Sequence, residues 1–150
     1  MRLLVARHGE AMEAASDSAR PLSERGREAV ERVGAAVAAD GLRVTRVTHS
    51  GLKRAEETAV ILARLLAPDA VITVDPRLEP DEDPSPIVES LFASDQDTLV
   101  VGHLPYVARL ALRLLRDPKQ AAMITFRPGT LMVLERDPHG AWTRVATYQP

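Results

Sequence analysis

The 150-residue chain contains no cysteine, which excludes disulfides, thiolate nucleophiles and cysteine-ligated zinc. Aromatic side chains make up only 3% of it, too few to build the stacking platforms that hold single-stranded nucleic acid. It also lacks any basic excess. The formal net charge is −2, so the electrostatic footprint of a nucleic-acid binder is missing. No apolar run approaches the roughly 20 residues that span a bilayer. The opening run, Leu3-Leu4-Val5-Ala6, is far too short for a signal peptide. These absences lead to the expectation of a cytoplasmic protein with no nucleic-acid or membrane partner. What is present is ordinary for a globular chain: 45% hydrophobic and 27% charged residues. The length suits one domain over residues 1–150, and the lack of a long unexplained apolar patch points to a monomer.

Strand-like and helix-like segments alternate. Arg2 to Ala6 reads as a strand. Ser23 is a natural N-cap, followed by Val30, Val33 and Val37 at helical spacing, with Gly41 closing the helix. Val44 to Thr48 reads as a second strand. Leu52 to Leu66 reads as an amphipathic helix with Ala55, Ala59, Leu62 and Leu66 on one face, stopped by Pro68. Val71 to Val74 is a third strand, residues 75–86 a Pro- and acid-rich loop, Ile87 to Phe92 a short helix and Thr98 to Val101 a fourth strand. Leu104 to Leu115 is apolar nearly all round, which predicts a well-buried helix. Strands are expected at Met123 to Arg127, Leu131 to Glu135 and Trp142 to Thr147, the last two joined by the turn Asp137-Pro138-His139-Gly140. The pattern predicts an α/β fold: a three-layer α/β/α sandwich around a mostly parallel central sheet, with an antiparallel pair at the end.

Chemistry gathers where strands end. Arg7 and His8 follow the first strand, His49 and Ser50 the second, and Gly102 and His103 the fourth, with Arg54 in the helix after the second. In open α/β sheets ligands bind at the carboxyl ends of the strands. Arginine offers a planar fork for phosphate or carboxylate, and histidine can act as base, acid or nucleophile near neutral pH. Helix N-termini after these strands add partial positive charge. A crevice of this kind suits a tetrahedral dianion. His139, in a turn, is expected at the surface; Lys53 is expected to be solvated and His49 to fill space.

These residues carry a family resemblance. Arg7-His8-Gly9 resembles the signature of the histidine phosphatase superfamily, which includes the cofactor-dependent phosphoglycerate mutases. Ser50-Gly51-Leu52-Lys53-Arg54-Ala55-Glu56-Glu57-Thr58 resembles its second motif, commonly Ser-Pro-Leu-x-Arg-Ala-x-Gln-Thr, and Val101-Gly102-His103 its third. The run from Ala14 to Ser23, the stretch His103-Leu104-Pro105 and the short length look most similar to the SixA-type phosphohistidine phosphatases. The resemblance implies a phosphoglycerate mutase-like fold without a large cap insertion. It implies His8 as nucleophile, Arg7 and Arg54 as a clamp on the phosphoryl oxygens, and His103 as a hydrogen-bonding stabiliser. It assigns Arg20, Ser16 and Gly9 to substrate binding, and neither cofactor nor metal to the reaction.

Two positions depart from the motif: Gly51 stands where Pro is usual and Glu57 where Gln is common. Glu57 is expected to face away from the anion. A leaving-group acid is not evident, the candidates being Glu10, Glu79, Asp81 and Glu82. The implied function is removal of a phosphoryl group from phosphohistidine on a partner protein, such as a phosphotransfer domain in signalling. The alternatives are a small-molecule phosphomonoesterase of the same superfamily and a catalytically inactive phosphate-binding module.

Overall fold

The computed structural model describes residues 1–150. A six-stranded sheet forms in the order β3-β2-β4-β1-β5-β6. The strands are β1 (Arg2–Arg7), β2 (Arg46–His49), β3 (Ile72–Val74), β4 (Thr98–Gly102), β5 (Leu131–Arg136) and β6 (Trp142–Tyr148). Strands β1 to β4 run parallel, whereas β5 lies antiparallel to both β1 and β6. Helices α1 (Glu24–Ala39), α2 (Lys53–Leu66), α3 (Ser85–Phe92), α4 (Tyr106–Leu114) and α5 (Pro118–Ala121) complete the fold, with short 3-10 turns at Asp17–Ala19 and Pro76–Leu78.

The sheet is buried on both faces, which is why its central strands are continuous apolar runs. In β1, Leu4 and Ala6 pack with Val30, Val33 and Val37 of α1 and with Ala59, Leu62 and Leu66 of α2. The alternate residues Leu3 and Val5 pack with Ile87 and Leu91 of α3 and with Val107, Leu110 and Leu114 of α4. The period-2 alternation of side chains thus divides one strand between two cores. Ser23 caps α1, its Oγ accepting from the Gly26 N–H at 3.0 Å.

Three local expectations are corrected. Strand β2 starts at Arg46, not Val44, because Val44 N–H donates to Leu66 O and Thr45 N–H to Asp97 O. Helix α4 is not buried all round: Tyr106, Val107, Leu110, Ala111 and Leu114 face the sheet, while Arg109, Leu112 and Arg113 are exposed. An outer-layer helix meets the sheet on one side only, so its other face is left to solvent. Residues 123–127 form no strand. The segment runs beside the edge strand β6 but meets it through side chains, Arg144 N–H donating to Gln120 Oε1 and Arg144 Nη1 to Met123 O. Phe126 is buried and its carbonyl accepts from the Arg7 side chain instead.

Candidate active site

Strand order and register bring three polar strand ends together. β4 lies between β1 and β2, with Arg7 opposite Gly102 and His49 opposite Val101. The next residues, His8, Ser50 and His103, therefore emerge side by side at the carboxyl edge. The rings of His8 and His103 are 5.0 Å apart between centroids. Ser50 Oγ and His103 Nε2 share a hydrogen bond of 2.6 Å, leaving Nδ1 as the free ring nitrogen of a residue only 2% exposed.

His8 is half-buried, and its Nδ1 lies 2.7 Å from Gly9 O. A carbonyl can only accept, so Nδ1 carries the proton and the lone pair sits on Nε2 of the neutral ring. Burial pushes the His8 pKa down to about 4. The Gly9 hydrogen bond opposes that shift, while the charges of Arg54, Arg7 and Arg20 add to it. Burial likewise lowers His103 to about 3, helped by His8 and Arg54 and opposed by Asp17. Both imidazoles are neutral at pH 7. His8 is thus a neutral imidazole with its Nε2 lone pair free, set among the charges of Arg54, Arg7 and Arg20.

The arginines are held from several elements. Arg54, in the first turn of α2, is 5% exposed. Its Nη1 donates to Asp17 O at 2.8 Å and its Nη2 reaches Asp17 Oδ2 at 3.3 Å. Arg20 Nη1 lies 3.5 Å from the other oxygen of the same carboxylate, and its Nε donates to Met12 O at 3.1 Å. Arg7 donates from Nη1 to Phe126 O at 2.9 Å. Gly9 N–H donates to Thr58 Oγ1, which in turn donates to Arg54 O, so the His8 loop and α2 are tied directly. Arg7 Nε, Arg54 Nε and His103 Nδ1 are buried without a partner. Unsatisfied buried polar groups are costly and rare, and three of the six in this chain belong to residues of this edge.

Residues 3–79 match the family model for the histidine phosphatase superfamily (branch 1). The chain belongs to this superfamily. Among solved structures it is similar to the protein histidine phosphatase SixA complexed with tungstate, at 27% identity and a TM-score of 0.89, over 100% of this chain and 97% of that one. It shares the fold of a SixA-type protein of Agrobacterium tumefaciens (22% identity, TM-score 0.83, 99% and 97% of the two chains). A SixA-type protein of Nakamurella multipartitia is similar in the same way (23%, TM-score 0.84, 99% and 95%). No curated protein matches the sequence. No large insertion interrupts the succession of strands and helices in this chain.

Within this histidine phosphatase fold, Arg7, His8, Gly9, Arg54 and His103 gather at one point and Arg20 sits at its rim. Ser16 stands apart: it is exposed, and its Oγ contacts only Ser18 Oγ. Glu57 is occupied by Leu22 N–H and by an ion pair with Arg27, and so is withheld from the arginine cluster. Gly51 adopts φ +97, which proline cannot reach, and its N–H donates to His49 Nδ1 at 3.0 Å. The departure from the motif thus gives a glycine turn that leads directly into α2. Of the candidate acids, Glu10 accepts from Ser23 Oγ at 2.9 Å. Asp81 and Glu82 line another surface cleft with Arg109 and Arg113. His139 and Lys53 are exposed and His49 is buried. Sequence reasoning assigned no role to Asp17, Ser50 or the Phe126 carbonyl. The signal for Asp17 was a carboxylate three residues before Arg20. No helix is long and apolar enough to cross a membrane.

Proposed function

We propose that this chain is a phosphohistidine phosphatase acting on a partner protein through a covalent phosphohistidine at His8. The observation that carries the reading is the His8 ring itself: proton fixed on Nδ1 by Gly9 O, lone pair on Nε2, pKa about 4, amid three guanidiniums. Nε2 attacks phosphorus while the P–N bond of the substrate breaks, its electron pair passing to the departing imidazole. Water then attacks phosphorus, the P–N bond to His8 breaks with its pair returning to Nε2, and the protons of the water leave with the phosphate. Arg7 and Arg54 neutralise the equatorial oxygens, which is most of what phosphoryl transfer asks of a protein. His103 Nδ1 donates to one of the same oxygens, with Ser50 Oγ holding the opposite nitrogen. The similar SixA structure is a complex with tungstate, a tetrahedral oxyanion as phosphate is, which supports an oxyanion as the ligand of this chain.

An imidazole leaves more readily than an alkoxide, so an N-phosphoryl substrate asks less of a proton donor beside His8. An uncovered edge suits a phosphoryl group presented on a folded domain. The test is His8→Ala against wild type, each incubated with a phosphorylated photransfer-type histidine domain and with an aryl phosphate. Wild type should remove the label and the variant should lose activity by about 10³-fold or more, with acid-labile phosphate trapped only on wild type. Equal dephosphorylation by both would overturn the reading. Turnover of the ester with no effect on the phosphodomain would point to a small-molecule phosphatase.

A further inference from the structure

Asp17 places an ionised carboxylate inside an otherwise cationic site. It bridges Arg54 and Arg20, lies close enough to raise the His103 pKa, and is 67% exposed on the 3-10 turn Asp17–Ala19. Loss of solvation works to raise its own pKa, but the two guanidiniums outweigh it and hold the carboxyl below the usual range. The group is therefore a standing anion and a poor proton donor at neutral pH. A site built only to attract phosphate gains nothing from it, since a carboxylate repels a phosphoryl dianion and competes for Arg54.

We infer that Asp17 is a specificity-determining residue that favours a phosphoryl group attached to a cationic, N–H-bearing leaving group over one attached to an alcohol. The inference rests on the proposed phosphohistidine reading and concerns the far side of the scissile bond. In a phosphohistidine whose second ring nitrogen is protonated, that N–H donates to the exposed Asp17 carboxylate. As His8 Nε2 forms its bond to phosphorus, the P–N bond breaks and its pair stays on the leaving nitrogen. The proton remains on the second nitrogen, so neutral imidazole departs still hydrogen-bonded to Asp17. An alkyl or aryl ester has no such donor. The oxygen that leaves gains negative charge close to the carboxylate, and like charges at short range raise the barrier.

The probes are N-phosphoimidazole and an aryl phosphate, assayed with wild type, Asp17→Asn and Asp17→Ala. Both variants remove the charge on an exposed turn, and thermal unfolding checks that they remain folded. The expected result is a drop of at least about tenfold in the ratio of kcat/KM for phosphoimidazole to that for the ester, or about 1.4 kcal/mol of discrimination. Asp17→Glu should recover part of it. An equal loss on both probes would overturn the inference and leave Asp17 as a support for Arg54. Failure of the phosphohistidine reading shows differently: wild type itself would then turn over the ester but not phosphoimidazole.

Discussion

At His8, one hydrogen bond and the surrounding protein act on the same ring in opposite directions. The Gly9 carbonyl favours protonation, while burial and three arginines oppose it and prevail, leaving a pKa of about 4. As pH falls below the ordinary value of 6.5, the unfolded chain takes up a proton before the folded one does. The stability linked to this ring is therefore complete above pH 6.5 and is lost progressively down to about pH 4. NMR titration of the ring should give a midpoint near 4, raised in Arg54→Ala by removal of a repelling charge; a midpoint near 6.5 would contradict the neutral nucleophile. The residues at this site differ in how legible they were. Arg7, His8, Arg54 and His103 stand beside strand ends and within motifs, so their sequence positions announced them. Asp17 stands in an exposed polar loop with no periodicity, and Arg54, its partner, is 37 residues away. Pairing at that distance is a product of the fold, which places the turn against the start of α2.

Helix α1 shows how an element sets the site from behind, through the backbone of the His8 loop. Ser23 N–H and Oγ both bond to Glu10, and Ser23 Oγ also caps the helix, so the first turn of α1 grips the His8-Gly9-Glu10 segment. Gly26 makes that approach possible: a Cβ there would lie 2.2 Å from Glu10 O and 3.0 Å from Glu10 N and C. Helix propensity alone gives Gly26→Ala a gain of about 1 kcal/mol. The backbone clash reverses the sign, and the expected result is a loss of about 1–3 kcal/mol together with lower kcat/KM. Gly34→Ala in the same helix is the control. Its Cβ would meet the side-chain ends Leu65 Cδ1 at 2.7 Å and Leu62 Cδ2 at 3.2 Å, which can rotate aside. Urea midpoints should separate the two variants; equal midpoints would remove the role given to Gly26. The cap and the apolar face of α1 were legible because both are local signals. The absence of a strand at 123–127 was not, since Ile124 and Phe126 alternate as in a strand. What decides there is tertiary contact, with the Phe126 carbonyl taken by Arg7 and the Met123 carbonyl by Arg144. For α4 a local signal did exist, since exposed Leu112 stands with Arg109, Arg113 and Arg116 at helical spacing.

Over the whole molecule, alternation of strands and helices was enough to give the α/β layers and the parallel strands. The insertion of β5 beside β1 was not readable, because periodicity says what an element is and not which neighbour it takes. Strand order in turn makes the site: with β4 between β1 and β2, the His8, His103 and Ser50 ends adjoin. The folded chain therefore concentrates cations at one edge although its net charge is −2. An oxyanion that recognises this edge binds the native state alone, because the unfolded chain holds Arg7, Arg20 and Arg54 far apart, and such a ligand raises stability by mass action. At tungstate concentrations near a hundred times Kd the gain is about 2.7 kcal/mol. For a chain of this size that corresponds to a rise in Tm of roughly 5–10 °C. Arg54→Ala should abolish most of the rise, and chloride at matched ionic strength should not reproduce it, since it supplies screening without tetrahedral oxygens for the guanidiniums. A thermal shift of equal size in wild type and Arg54→Ala would show that the anion binds elsewhere and would separate the arginine cluster from phosphate recognition.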